Sequence, residues 1–131
     1  MLRPGAWYTA VSVPAEVVHA ACEAASPEDC APVLASLLDG PVFYGPVGFR
    51  QEGGYTALLP SAASDWREPS VVVLPARAEL LVPAPEVLAP CGEGPWWVIP
   101  PDRHMRLCTP ARLKGIVRRG RERIAAGGEP S

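Results

Sequence analysis

Proline is the residue that most restricts how this chain can fold. Seventeen of its 131 residues are proline, and each one fixes the backbone angle φ and removes a backbone hydrogen-bond donor. They are densest in the second half, at Pro75, Pro83, Pro85, Pro90, Pro95, Pro100 and Pro101. This spacing predicts short strands and helices joined by turns, and argues against long helices.

The N-terminal part of the chain has the pattern of a strand followed by two helices. Apolar residues alternate with a period of two over residues 6–13, which is typical of a strand. After Pro14, apolar residues recur at helical spacing as far as residue 25. A second helix is expected from about Cys30 to Leu38, with Asp29 as its cap and Pro32 in its first turn.

Short apolar runs separated by turn residues predict the sheet. Runs at 47–51 and 55–59 flank Glu52-Gly53-Gly54, whose glycine pair suits a tight hairpin turn, so we expect these two runs to pair antiparallel. Residues 60–69 have the composition of a loop. Further strands are expected at residues 42–44, 71–74, 79–82 and 96–99. The whole chain, residues 1–131, thus predicts one α+β domain with a mostly antiparallel sheet of short strands, two N-terminal helices and one basic C-terminal helix.

Charge is divided unevenly between the two ends of the chain. Residues 101–124 carry eight basic and two acidic side chains, a net of +6, whereas residues 1–100 carry four basic and eleven acidic ones, a net of −7. A helix is predicted over 109–126 with a sparse apolar face, and residues 127–131 are expected to fray. The basic residues of this helix are Arg112, Lys114, Arg118, Arg119, Arg121 and Arg123.

A basic helix on an acidic body has four interpretations. It can bind nucleic-acid phosphates, an acidic protein partner or an anionic membrane surface, or it can be solvated or neutralised by the body itself. No helix-turn-helix pattern is evident, so nucleic-acid contact would be made to the backbone. Trp96-Trp97 would supply one core side chain and one exposed ring for base stacking. No apolar run approaches the roughly 20 residues of a membrane span.

Patterns for catalysis and metal binding are weak. The cysteines (Cys22, Cys30, Cys91 and Cys108) lack the paired spacing of a zinc site and are interpreted as reduced core residues. The sequence contains no Gly-x-Ser-x-Gly motif and no P-loop, and we expect no metal and no cofactor. His19 lies among alanines and valines of the first helix, as a surface or helix-flank side chain. A small enzyme would use the loop that contains Asp102, Arg103, His104 and Arg106.

Four segments carry a resemblance to a known family: Gly40-Pro41-Val42, residues 54–60, Trp66-Arg67-Glu68-Pro69 and residues 94–101. They resemble small actinobacterial proteins related to the N-terminal domain of bifunctional DNA primase/polymerases. The resemblance implies a mixed α/β replication domain of mobile elements, with acidic metal ligands and a histidine in active members. This chain has no Asp-x-Asp or Asp-x-Glu on a strand, so the resemblance implies a non-catalytic member.

The amino-acid composition also indicates an actinobacterial source. Lys114 is the only lysine and asparagine is absent, a bias typical of GC-rich genomes such as those of actinobacteria. We therefore expect a non-catalytic accessory protein of an actinobacterial replicon or mobile element that contacts DNA or RNA through the basic helix. Residues 1–5 do not lead into a signal peptide, so a cytoplasmic location is expected. The alternatives are a protein-interaction module or homodimer of a plasmid or phage, docking through the apolar face of the last helix, and a small enzyme using His104.

Overall fold

The computed structural model describes residues 8–47, 50–60, 66–67, 71–74, 86–88, 95–100 and 107–127. Within these ranges the chain forms an α+β fold, as predicted. The elements in chain order are β1 (Tyr8–Pro14), α1 (Ala15–Cys22), α2 (Pro27–Leu37), β2 (Val42–Val47), β3 (Arg50–Pro60), β4 (Val72–Val73), β5 (Trp96–Ile99) and α3 (Pro110–Gly127). The strand expected at 79–82 and the tail from residue 128 lie outside the described residues.

The five strands form one antiparallel sheet in the order β4-β1-β3-β2-β5. The long central strand β3 pairs with β1 from Tyr8↔Pro60 to Pro14↔Gly54. Its other edge pairs with β2, and β2 in turn pairs with β5. Strand β3 therefore holds the middle of the sheet, with a neighbour on each side.

The prediction of a hairpin turn at the glycine pair is wrong. Gly53 and Gly54 lie inside β3, and Gly54 pairs with Pro14 of β1. The hairpin is formed by β2 and β3 instead, because Val47 pairs with Arg50 and leaves only residues 48 and 49 between the strands. Pairing on both edges of β3 outweighs the local tendency of two glycines to turn.

Helix α2 begins earlier than its sequence pattern indicates. Ser26 is the N-cap, and its Oγ accepts a hydrogen bond of 3.2 Å from the backbone N–H of Asp29. Asp29 is therefore a first-turn residue and not the cap, and Pro32 lies in the helix interior, five residues after Pro27. Because Pro32 is on the exposed side of the helix, water can bind the carbonyl that it leaves without an N–H donor.

The three helices pack on one face of the sheet. The main apolar core joins side chains of all three helices to those of the strands, and a smaller cluster lies on the opposite face. Trp96 belongs to the helix side and Trp97 to the opposite side, where its ring meets Phe43 edge-on at 5.4 Å. Both tryptophans are buried, with 4% and 3% of their surface exposed. The prediction that one of these two rings is exposed for base stacking is therefore wrong.

Helix α3 has 18 residues, as many as the helix predicted over 109–126. No proline follows Pro110 within the helix, so nothing interrupts its backbone hydrogen bonds. Its apolar residues Leu113, Ile116 and Val117 are buried in the main core. These three side chains of α3 therefore pack within the protein's own fold, whereas Ile124, near the end of the helix, is 39% exposed. None of the described helices is both long and apolar enough to cross a membrane.

Candidate nucleic-acid interface

The six basic residues of α3 fall into two rows on either side of the helix. Residues that are three, four or seven positions apart lie on the same side of an α-helix. We call Arg112, Arg119 and Arg123 the inner row and Lys114, Arg118 and Arg121 the outer row. The two rows are separated on the core side of the helix by the buried face around Leu113 and Val117, and on the solvent side by exposed residues.

Arg123 of the inner row is bound to the end of helix α1. That helix ends at Cys22, and its C-cap residue Glu23 adopts a left-handed conformation with φ of 55°, in which its backbone N–H donates to the carbonyl oxygen of Ala20 at 3.4 Å. The Nη1 of Arg123 donates to the carbonyl oxygens of Ala20 at 3.1 Å and Ala21 at 2.9 Å. It also lies 3.7 Å from the carboxylate of Glu23. Arg123 therefore closes α1, and its charge is directed into the fold.

Arg112 of the inner row lies over the end of α2. Its Nε is 3.8 Å from Asp39, and its Nη1 donates to the carbonyl oxygen of Leu37 at 3.4 Å. Asp39 accepts hydrogen bonds from the backbone N–H of Thr109, at 2.8 Å, and from its hydroxyl. The hydroxyl bond is the main cause that lowers the pKa of Asp39, and Arg112 contributes less. This anchor joins the residue before α3 to the segment after α2.

The outer row points away from α1 and α2. Lys114 is exposed, and its Nζ lies 5.5 Å from the centre of the Trp66 ring, within cation–π range. Trp66 itself is only 7% exposed, so its ring supports Lys114 and is not a free stacking surface. Arg118 is exposed, and Arg121 is half-buried and has a partner of its own.

Arg118 and Arg119 are the least engaged cations of α3. Both are exposed, and within the described part of the chain neither has a hydrogen bond or an ion pair. The predicted phosphate-binding set therefore divides. Arg112 and Arg123 contact the body of the protein, Lys114 and Arg118 present positive charge to solvent on the outer side of the helix, and Arg119 presents it on the side toward α1 and α2.

A buried polar chain beneath α1 escaped the sequence analysis. The Nε2 of His19 is 2.8 Å from the hydroxyl of Tyr55, and the two rings meet edge-on. The same hydroxyl contacts the thiol of Cys30, which in turn contacts Cys22. His19 is thus a half-buried, hydrogen-bonded residue. The sequence signal was a histidine in the last turn of α1, but its partner Tyr55 lies 36 residues further along the chain.

Burial shifts the pKa values of the groups in this polar chain. Burial lowers the pKa of His19 and raises that of the Tyr55 hydroxyl. Burial, with the neighbouring Cys30 thiol, raises the pKa of Cys22 to about 12. Because the thiolate is the nucleophile, a thiol that stays protonated near neutral pH does not attack a substrate. The described cysteines, Cys22, Cys30 and Cys108, are all buried and free, in agreement with their interpretation as core residues.

Other predicted site residues have no described position. Cys91 and the loop residues Asp102, Arg103, His104 and Arg106 lie outside the described residues. Among those that are described, no three of the His, Cys, Asp and Glu side chains come together as metal ligands would.

The chain matches no known family model, no curated protein and no solved structure.

Proposed function

We propose that the protein is a non-catalytic, cytoplasmic accessory protein of an actinobacterial replicon or mobile element that binds the backbone of nucleic acid through α3. The observation that carries this proposal is the exposed positive charge of Lys114 and Arg118 on a helix whose opposite face is anchored in the core. The resemblance to proteins related to primase/polymerase domains supports the replicon context.

The outer row has a spacing suited to phosphates. Lys114 and Arg118 are four residues apart, which is about 6 Å along a helix. Adjacent phosphates on one strand rise by about 3.4 Å, so these two flexible side chains can reach neighbouring phosphates. The helix is rigid because Leu113 and Val117 hold it against the core, and little conformational entropy is lost when it binds.

Burial of the tryptophans that the structure describes favours backbone contact over base stacking. Binding of single strands by stacking needs exposed rings, and Trp66, Trp96 and Trp97 are all buried. Binding of this kind is governed by counterion release and has little sequence preference. The acidic body, with a net charge of −7 over residues 1–100, repels phosphates and limits the contact to the exposed side of α3.

Two double variants of equal charge test this proposal. Lys114→Gln/Arg118→Gln removes two charges from the outer row, and Arg112→Gln/Arg119→Gln removes two from the inner row of the same helix. Binding of fluorescein-labelled duplex and single-stranded DNA and RNA is measured by polarisation at 50 and 200 mM salt. We expect the outer-row variant to lose most of the affinity and the inner-row variant to retain most of it. Equal losses would show a general charge effect and contradict the assignment to the outer row.

A further inference from the structure

A surface groove runs between α3 and the two N-terminal helices. It encloses about 260 Å³. Its apolar floor is formed by Ala21 of α1, Leu37 of α2 and Ile116 of α3, and Arg112 and Arg119 stand at its edge. The groove is separate from the outer row of α3, because its cations belong to the inner row.

The two arginines give the groove a positive rim over an apolar floor. They are seven residues apart on α3, so two helical turns separate them. Arg119 has no hydrogen bond or ion pair within the described part of the chain. The side chain of Arg112 is 54% exposed and its contacts with Asp39 and Leu37 are long. A guanidinium group has five N–H donors, so Arg112 retains donors for a further acceptor.

Gly115 keeps the groove open at its centre. A Cβ atom built at this position would meet nothing within 4 Å, so packing within the described fold does not require a glycine there. Glycine inside a helix is unfavourable relative to alanine. A bare backbone between Arg112 and Arg119 allows another chain to approach α3 closely.

We propose that this groove binds a short acidic segment of a partner protein, with an apolar side chain on the floor and carboxylates against Arg112 and Arg119. Charge complementarity selects the occupant, because guanidinium groups pair with carboxylates in a bidentate geometry. The groove is open along one side and smaller than the roughly 300 Å³ at which most small-molecule pockets begin. A peptide segment anchored by one apolar residue fits this shape.

The test uses the full chain, labelled with ¹⁵N, and a defined probe. The probe is the acetylated and amidated pentapeptide Glu-Asp-Leu-Asp-Glu, and the control peptide is Gln-Asn-Leu-Asn-Gln. We expect the acidic peptide to shift the amide signals of Ala21, Gly115 and Ile116, and the control peptide to leave them unchanged. Arg119→Gln should weaken binding of the probe by roughly tenfold, because a charged hydrogen bond is lost.

Two further variants separate this site from the outer row. Gly115→Leu fills the groove from a position with open space, and should reduce probe binding while the protein stays folded. Arg118→Gln removes the same charge as Arg119→Gln but from the outer row, and should change the dissociation constant by less than about twofold.

The proposal is overturned by either of two results. One is an absence of shifts at Ala21, Gly115 and Ile116 with the probe at millimolar concentration. The other is an equal loss of binding in Arg118→Gln and Arg119→Gln, which would mean general attraction to a basic helix. Nucleic-acid binding through Lys114 and Arg118 is measured separately, so either proposal can fail without the other.

Discussion

Gly120 of α3 lies directly against the backbone of Val17 in α1. A Cβ atom at position 120 would overlap the carbonyl oxygen of Val17. This close approach lets the two helices pack backbone to backbone and brings Arg123, almost one turn further on, to the end of α1. The helix crossing therefore determines which basic side chains face the body and which face solvent.

Replacement of Gly120 by alanine should destabilise the protein. Forcing a methyl group into the contact with Val17 costs about 1–3 kcal/mol, and the higher helix propensity of alanine returns up to about 1 kcal/mol. We expect urea denaturation to show a lower free energy of unfolding for Gly120→Ala. An unchanged or higher value would mean that the helices do not approach as closely as described.

Replacement of Gly115 by alanine should have the opposite effect. This glycine is on the same helix, but a Cβ there meets open space, so only the helix propensity changes. We expect Gly115→Ala to raise the free energy of unfolding by about 0.5–1 kcal/mol in the same urea experiment. Destabilisation would indicate that something occupies the groove in the folded chain.

Arg123 should contribute more to stability than its neighbours on the surface. Arg123→Gln removes the guanidinium that donates to Ala20 and Ala21, and a hydrogen bond to a charged group is worth about 1.5–3 kcal/mol. Arg118→Gln removes the same charge without a described contact and should lie within about 0.5 kcal/mol of wild type. Thermal or urea unfolding of the pair measures the difference, and equal stabilities would contradict the role of Arg123 in binding the last carbonyl groups of α1.

His19 should make stability depend on pH below neutrality. Burial lowers its pKa from the ordinary value of 6.5, so the unfolded chain binds more protons than the folded one between the lowered pKa and 6.5. The free energy of unfolding therefore rises with pH across this window and falls on acidification. His19→Gln removes this titration.

Unfolding of wild type and His19→Gln at several pH values between 4.5 and 8 isolates the contribution of His19, since the other ionisable groups are common to both proteins. Asp39 has a lowered pKa, so its stabilising effect is present above 3.8 and lost only as the pH falls through its lowered pKa. Parallel pH profiles for the two proteins would show that His19 is not buried as described.

Local sequence patterns predicted the elements whose own residues determine them. The strand β1, the helix α1 and the basic helix α3 were all confirmed, and each end lies within three residues of its predicted position. The patterns failed where distant pairing decides. Gly53-Gly54 has the chemistry of a turn, but it is held in a strand by β1, which lies about 40 residues earlier in the chain.

The candidate interface was predicted only as a set of charges. Sequence alone places six basic residues on one helix, and helical spacing alone sorts them into two rows. Which row faces the body depends on the crossing of α3 with α1 at Gly120 and on the early end of α1 at Glu23. Neither feature has a local signal, so the separation of Arg112 and Arg123 from Arg118 required the structure.

The most direct test of the central claim is the salt dependence of duplex DNA binding by wild type and by Lys114→Gln/Arg118→Gln. With two or three phosphate contacts, the affinity of wild type should fall by roughly ten- to fortyfold between 50 and 200 mM salt. The double variant should bind weakly and show a slope of log affinity against log salt reduced by about 2. Binding of wild type that is absent, independent of salt or unchanged by the double substitution would contradict the assignment of α3 as a nucleic-acid contact.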